Sequence, residues 1–162
     1  MDAEGKVTLR AGGAEFALRR AVSSDVAAIV GLLADDQLGA TRDGGDLAPY
    51  LRAFAAIDAD PAQCLLVACA ADGDIAGTMQ LTFIPGLARR GAWRAQIEAV
   101  RVARAHRSRG LGGAMISWAI ADARRRGCAL VQLTSDKQRQ GAHRFYERLG
   151  FTASHEGFKL RL

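Results

Sequence analysis

Apolar and polar positions change period several times along the 162-residue chain. Glu15–Ala21 alternates, which predicts a strand. Ser23-Ser24-Asp25 then offers an N-cap, and Val26, Ile29, Val30 and Leu33 follow at i, i+3, i+4, i+7 spacing, so an amphipathic helix runs to about Asp36. Gly39–Gly45 reads as a loop, and Leu47, Tyr50, Leu51, Phe54 and Ile57 mark a second helix. Cys64–Ala71 and Ile75–Phe83 are β-compatible apolar runs joined by Asp72-Gly73-Asp74, a hairpin signature. A basic loop at Gly86–Gly91 leads into a strand over Arg94–Val102. Gly110–Arg126 carries Leu111, Met115, Ile116, Ala119, Ile120 and Ala123 on one helical face, with Gly127 at the C′ position. Ala129–Thr134 is a strand, Gln140–Leu149 a helix followed by Gly150, and Phe151–Leu162 a terminal β segment. The order β-α-α-β-β-β-α-β-α-β predicts a mostly antiparallel sheet with one βαβ crossover, an α+β or mixed α/β fold.

Length fits a single domain over residues 1–162. The longest apolar runs fall far short of the roughly 20 residues that span a bilayer. The acidic start Met1-Asp2-Ala3-Glu4 has no apolar core after it, which argues against a signal peptide and for a cytoplasmic location. Cysteines at 64, 69 and 128 give neither a disulfide framework nor a CxxC knuckle, and His143 and His155 have no ligand spacing with them, so no metal is expected. Each cysteine reads as a small core residue rather than an acyl carrier.

Charge changes the picture. Residues 1–86 carry 6 Lys/Arg against 12 Asp/Glu, whereas residues 87–162 carry 16 against 5. Such asymmetry points to a polyanionic ligand on the basic half, or to a solvated arginine-rich surface. The aromatic residues of that half are not interleaved with its arginines as in a base-stacking platform, and a phosphate-bearing cofactor would serve equally well. Between the strand at 94–102 and the helix at 111–126 stands Arg107-Ser108-Arg109-Gly110-Leu111-Gly112-Gly113. Glycines let backbone approach a ligand, and the first N–H groups of the helix face the same space with the positive end of its dipole. No Gly-Lys-Ser/Thr follows, so this is not a Walker loop, and the glycine spacing is not that of a dinucleotide fingerprint. A bare glycine turn capping a helix is the alternative. Next to it in chain order comes Ala142-His143-Arg144-Phe145-Tyr146-Glu147-Arg148-Leu149-Gly150-Phe151.

Together the two stretches resemble the GNAT superfamily of acetyl-CoA-dependent N-acetyltransferases, in particular its single-domain bacterial members acting on small molecules. The resemblance covers roughly residues 94–155. It implies a sheet with a V-shaped splay between two parallel strands, flanked by about four helices. It implies that Arg107, Gly110 and Gly112 hold the pyrophosphate of coenzyme A, with Ser108, Arg109, Leu111 and Gly113 completing the turn. The strand before the turn is expected to carry a bulge, where Val100, Arg101 and Val102 pair with the pantetheine arm as an added strand would. The family commonly has Asn where Arg139 stands here; an arginine there suits a cofactor phosphate instead. His106, beside the turn, faces solvent or phosphate on this reading.

Acetyl transfer needs a neutral amine, a stabilised oxyanion and a proton for the departing thiolate. The family resemblance makes Tyr146 the general acid and a cofactor contact; a packed core tyrosine is the alternative. Backbone N–H near Val100 would meet the oxyanion. Glu98, placed on the face of Val100 by plain alternation, is the candidate base, directly or through a water; a surface carboxylate paired with Arg101 or Arg94 is the other reading. Residues 35–60 hold Asp35, Asp36, Asp43, Asp46, Asp58 and Asp60 against Arg42 and Arg52. That excess predicts an acidic wall, with Asp35, Asp36, Asp43 and Asp46 as acceptor contacts, suited to a small cationic amine such as an aminoglycoside antibiotic, which would make the enzyme one of resistance or detoxification. A peptide or protein amine, or an amino-acid metabolite, is the rival acceptor within the family. A non-catalytic module that senses acetyl-CoA or binds nucleic acid is the rival of a different class. The partners expected are a small-molecule amine and a second copy of the chain in a homodimer, with no nucleic acid and no membrane.

Overall fold

Gly12 and Gly13 take φ of 57° and 78°, the left-handed pair of a type I′ turn, and fold Val7–Ala11 (β1) back on Ala14–Arg20 (β2). This hairpin opens a computed structural model that describes residues 5–35, 43–160 and 162. The chain divides into two units, residues 1–132 and 133–162. In the first, β2 leads through a short 3-10 turn to α1 (Val26–Ala34), then α2 (Ala48–Ala59), β3 (Gln63–Cys69), β4 (Ile75–Ile84), β5 (Trp93–Val102) and α3 (Leu111–Arg125). β6 (Cys128–Leu133) crosses the division, and α4 (Gln140–Arg148) belongs to the second unit.

The strands lie in sequence order in one sheet, with the first four ladders antiparallel. β6 is the neighbour of β5 and is reached through α3, a crossover that makes the sheet mixed. The mixed α/β fold expected from the periodicity is therefore found. Partners across a ladder share a face, so Leu18, Leu66, Met79 and Leu81 form one apolar stripe, each no more than 1% exposed. α3 covers this side, burying Leu111, Met115, Ile116 and Ala119. A Cβ on Gly77 would stand 3.0 Å from Met115 Sδ and 3.0 Å from the Arg101 carbonyl, so the glycine leaves room that a side chain would narrow. On the other face, Ile29 of α1 joins Val67 and Cys69, with Leu33 and Phe54 packed alongside.

Four expectations are corrected. Residues 7–11, assigned no element from their pattern, are β1. Ala88–Gly91, expected as loop, forms a helical turn in which Arg89 and Arg90 are left-handed (φ 55° and 62°). Asp25 does not cap α1 with its side chain; its carboxylate accepts from Val22 N–H (2.8 Å) and from Arg19 (2.6 and 3.0 Å), pinning β2 to the start of α1. Residues 151–160 form no strand: Phe158 is 93% and Leu160 87% exposed, so their alternation has no buried face to drive pairing.

Candidate active site

β5 supplies the edge on which the site is built. Its register with β4 slips by one residue: Gln80 faces Glu98 but Thr78 faces Arg101, so Ala99 and Val100 together oppose Met79. Ala99 takes φ 52°, a left-handed conformation costing an alanine roughly 1–2 kcal/mol. This is the β-bulge expected before the glycine turn. It also corrects the face assignment. Ladder partners share a face, so Glu98, opposite Gln80, points to the same side as Arg101, opposite Thr78, and not with Val100. That is the side covered by α1 and α2. Glu98 is exposed and makes no ion pair among the described residues, so pairing with Arg101 or Arg94 is not found.

Past the bulge, Ala103 N–H donates to Ala76 O (2.8 Å), which makes Gly77 and Val102 a non-hydrogen-bonded pair. The N–H and C=O of Val102 therefore point away from β4, toward the β6 side. β6 gives that edge little cover: Gln132 Nε2 donates to Gln96 Oε1 (2.7 Å), and β6 ends at Leu133 while β5 runs on to Val102. Arg107 Nε donates to the Val102 carbonyl (2.8 Å), and Arg101 Nη1 to the Val100 carbonyl (2.9 Å).

The turn itself uses two left-handed residues, Ser108 (φ 59°) and Gly110 (φ 87°), the latter the N-cap of α3. No side chain caps this helix, and Ala114 is the first residue to donate back, to Gly110 O (3.0 Å). The N–H groups of Leu111, Gly112 and Gly113 thus have no intrahelical acceptor, although the Leu111 side chain is buried. Gly12 braces the turn from behind, for a Cβ there would meet the Arg109 carbonyl at 2.9 Å. His106 does not face outward; its ring meets Phe16 edge-on at 5.3 Å.

The aspartates placed on the acceptor side divide. Asp35 takes Arg104 Nη2 at 2.6 Å and Arg107 Nη2 at 2.9 Å, and these cations, Arg104 foremost, hold its carboxyl below the ordinary range. Asp46 accepts from Ala48 N–H (3.0 Å) and Asp60 from Ala62 N–H (2.8 Å), both local turn contacts. Asp43 is half-buried, and Asp36 lies outside the described residues. The acidic wall is thus reduced, because Asp35 is taken by Arg104 and Arg107, and Asp46 and Asp60 by turn N–H groups.

In the second unit, Tyr146 is half-buried on α4, its ring edge-on to Phe145 (5.1 Å) and Phe151 (5.9 Å). Phe151 N–H donates to Tyr146 O (3.1 Å), closing the end of the helix. Arg139, half-buried, is the N-cap residue, and His143 binds the Asp136 carbonyl (2.8 Å). Among the cysteines, burial pushes the Cys64 and Cys128 thiols up, away from the reactive thiolate; Cys128 is half-buried.

A bulged strand followed by this helix-capping turn is the arrangement that the resemblance implies. The family profile described as Acetyltransferase (GNAT) matches residues 26–151. The chain belongs to the GNAT family. The family is one of acetyltransferases that use acetyl-CoA. A Bacillus halodurans protein described as a transcriptional regulator is 46% identical, with a TM-score of 0.87 over 91% of this chain and 99% of that one. A Trypanosoma brucei acetyltransferase is 29% identical, with a TM-score of 0.75 over 91% of this chain and 99% of that one. An aminoalkylphosphonate N-acetyltransferase of Salmonella typhimurium is 35% identical over 66 residues, 41% of this chain and 43% of that protein. The match thus spans less than half of the Salmonella relative.

Proposed function

We propose that residues 1–162 form one N-acetyltransferase domain that moves the acetyl group of acetyl-CoA to the primary amine of a small molecule. The observation that carries this reading is the bulge at Ala99 and Val100, set on an outward-facing edge directly before the Arg107–Gly113 turn. The N–H of Val102 offers the pantetheine amides a donor, and its C=O, which already accepts from Arg107 Nε, has a second lone pair for a pantetheine N–H. Leu111, Gly112 and Gly113 present N–H groups to the pyrophosphate, aided by the helix dipole. Ser108 and Arg109 shape the turn. Arg139, at the start of α4, serves a further phosphate.

The chemistry is one addition and one elimination. The amine nitrogen attacks the thioester carbonyl, and backbone N–H at the bulge near Val100 receives the oxyanion. The C–S bond then breaks, and the Tyr146 hydroxyl gives its proton to the leaving sulfur. Glu98 takes the proton from the amine, directly or through a water. Its face supports this role, because it opens toward α1 and α2, which flank the acidic residues 35–60. The acceptor we favour remains cationic, an aminoglycoside in its sharpest form, drawn by the acidic excess of residues 35–60 through Asp36 and Asp43 rather than Asp35 or Asp46. The name of the Salmonella relative makes an aminoalkylphosphonate the natural competitor.

A thiol-release assay with acetyl-CoA decides between them, run against aminoglycosides, polyamines, amino acids, short peptides and an aminoalkylphosphonate. Free thiol with the aminoglycosides or polyamines alone is the expected result. Release with the phosphonate only would reject the cationic acceptor and keep the enzyme. No release with any amine, and no rise in Tm with acetyl-CoA, would reject the cofactor site. The Bacillus relative, described as a transcriptional regulator, favours a second reading, in regulation of transcription. It predicts retention on duplex DNA that falls steeply with salt and ignores coenzyme A.

A further inference from the structure

The 3-10 turn Arg104–His106 brings residues three apart into eclipse, so Arg104 and Arg107 project to one side while His106 turns in against Phe16. Both arginines converge on Asp35, the C-cap residue of α1. Arg104 uses its Nε (2.7 Å) and Nη2 (2.6 Å); Arg107 uses Nη2, on the carboxylate at 2.9 Å and on the Asp35 carbonyl at 3.1 Å, with Nε on Val102. In each guanidinium the Nε–Nη2 edge is taken by protein, and these contacts leave Nη1 unused as a donor. The side chains remain 76% and 43% exposed. Exposed ion pairs contribute little to stability, so folding alone gives no reason for two long cations to share one carboxylate. Two cations on one anion keep a local positive charge, and their side chains are already ordered before a ligand arrives.

We propose that Asp35 is a positioning residue for coenzyme A: it presets Arg104 and Arg107 as a two-arginine clamp whose Nη1 groups meet the phosphates beside the glycine turn. This rests on the acetyl-CoA reading above and adds Arg104, which lies outside the matched motif. It also gives Asp35 a role on the cofactor side rather than the acceptor side. An ordered guanidinium loses less freedom on binding than a mobile one, and that difference is what Asp35 supplies.

Calorimetric titration of CoA and of 3′-dephospho-CoA into the whole protein tests it. Asp35→Ala should weaken CoA by about tenfold, the loss expected when two side chains must be ordered anew. Its Tm should move by no more than about 3 °C. In turnover the change should appear in KM for acetyl-CoA more than in kcat. In an Arg104→Ala/Arg107→Ala background, adding Asp35→Ala should change nothing, which a general structural role would not predict. The dephospho ligand shows which phosphate the clamp meets: a smaller Asp35 effect there assigns the 3′-phosphate, an equal one the pyrophosphate. An unchanged or tighter Kd for Asp35→Ala would overturn the proposal, the tighter value meaning that the carboxylate competes with phosphate. Wild-type protein that binds no CoA would overturn the acetyl-CoA reading itself, before any substitution is compared.

Discussion

Single side chains decide whether the edge of β5 is an enzyme site or only a binding site. Tyr146 is the test of the chemical step. Its ring is held by Phe145 and Phe151, so Tyr146→Phe keeps the packing and removes only the hydroxyl. Loss of a general acid should lower kcat by about 100-fold or more while Kd for CoA stays within a factor of about two. Unchanged turnover would remove Tyr146 from the mechanism. For Glu98→Gln, activity should fall most at low pH, where more of the amine must lose a proton before attack. Equal pH–rate profiles for the two proteins would remove Glu98 as the base. The stretches on which these roles are proposed were legible in the chain, for Arg107-to-Gly113 and Phe145-to-Phe151 are contiguous. What was not legible was direction. An alanine in a strand gives no sign that it will turn left-handed, so Ala99 and the reversal of face it imposes on Glu98 are visible only in the register with β4. The partnership of Asp35 with Arg104 and Arg107 joins positions far apart in sequence, and no local pattern announces it.

At the scale of elements, the turn before α3 is where conformation and ligand chemistry meet. Gly110 needs φ 87°, and Gly113 sits in the first turn of the helix with nothing within 4 Å of where a Cβ would stand. The two glycines should therefore respond oppositely to alanine. Gly110→Ala should destabilise by roughly 1–2 kcal/mol through left-handed strain and weaken CoA, because the turn is displaced. Gly113→Ala should stabilise by roughly 0.5–1 kcal/mol, since alanine is the better helix former and meets no clash. Thermal melts with and without CoA check both, and equal Tm values for the two variants would refute the geometry given to the turn. Helices α1 to α4 and strands β2 to β6 were marked by periodicity and turn residues. The β1 strand was missed although Gly12-Gly13 carries the signature of a type I′ hairpin, because a five-residue strand of mixed polarity gives too short a run to count. The reverse error at residues 151–160 has the same root: alternation records a capacity for pairing, and burial decides whether it is used.

For the whole molecule, a buried ion pair between two elements makes part of the stability sensitive to acid. Asp25 is only 7% exposed, and it joins β2 to α1 through the Arg19 guanidinium and the Val22 N–H. The hydrogen bonds from Arg19, and then that from Val22, hold its carboxyl below the ordinary 3.8. A carboxylate whose folded pKa lies below its unfolded one binds fewer protons in the native state. Its contribution is therefore complete above the unfolded value and is lost as pH falls through the folded one. Asp25→Asn should thus destabilise at neutral pH, and the gap from wild type should narrow in the window below pH 3.8. Urea titrations at pH 7 and at about pH 3 measure it, expecting a loss of about 3 kcal/mol at the higher pH, since Arg19 is left without its anion. A gap that widens in acid would mean that Asp25 is protonated in the native state and that β2 is pinned to α1 by something else.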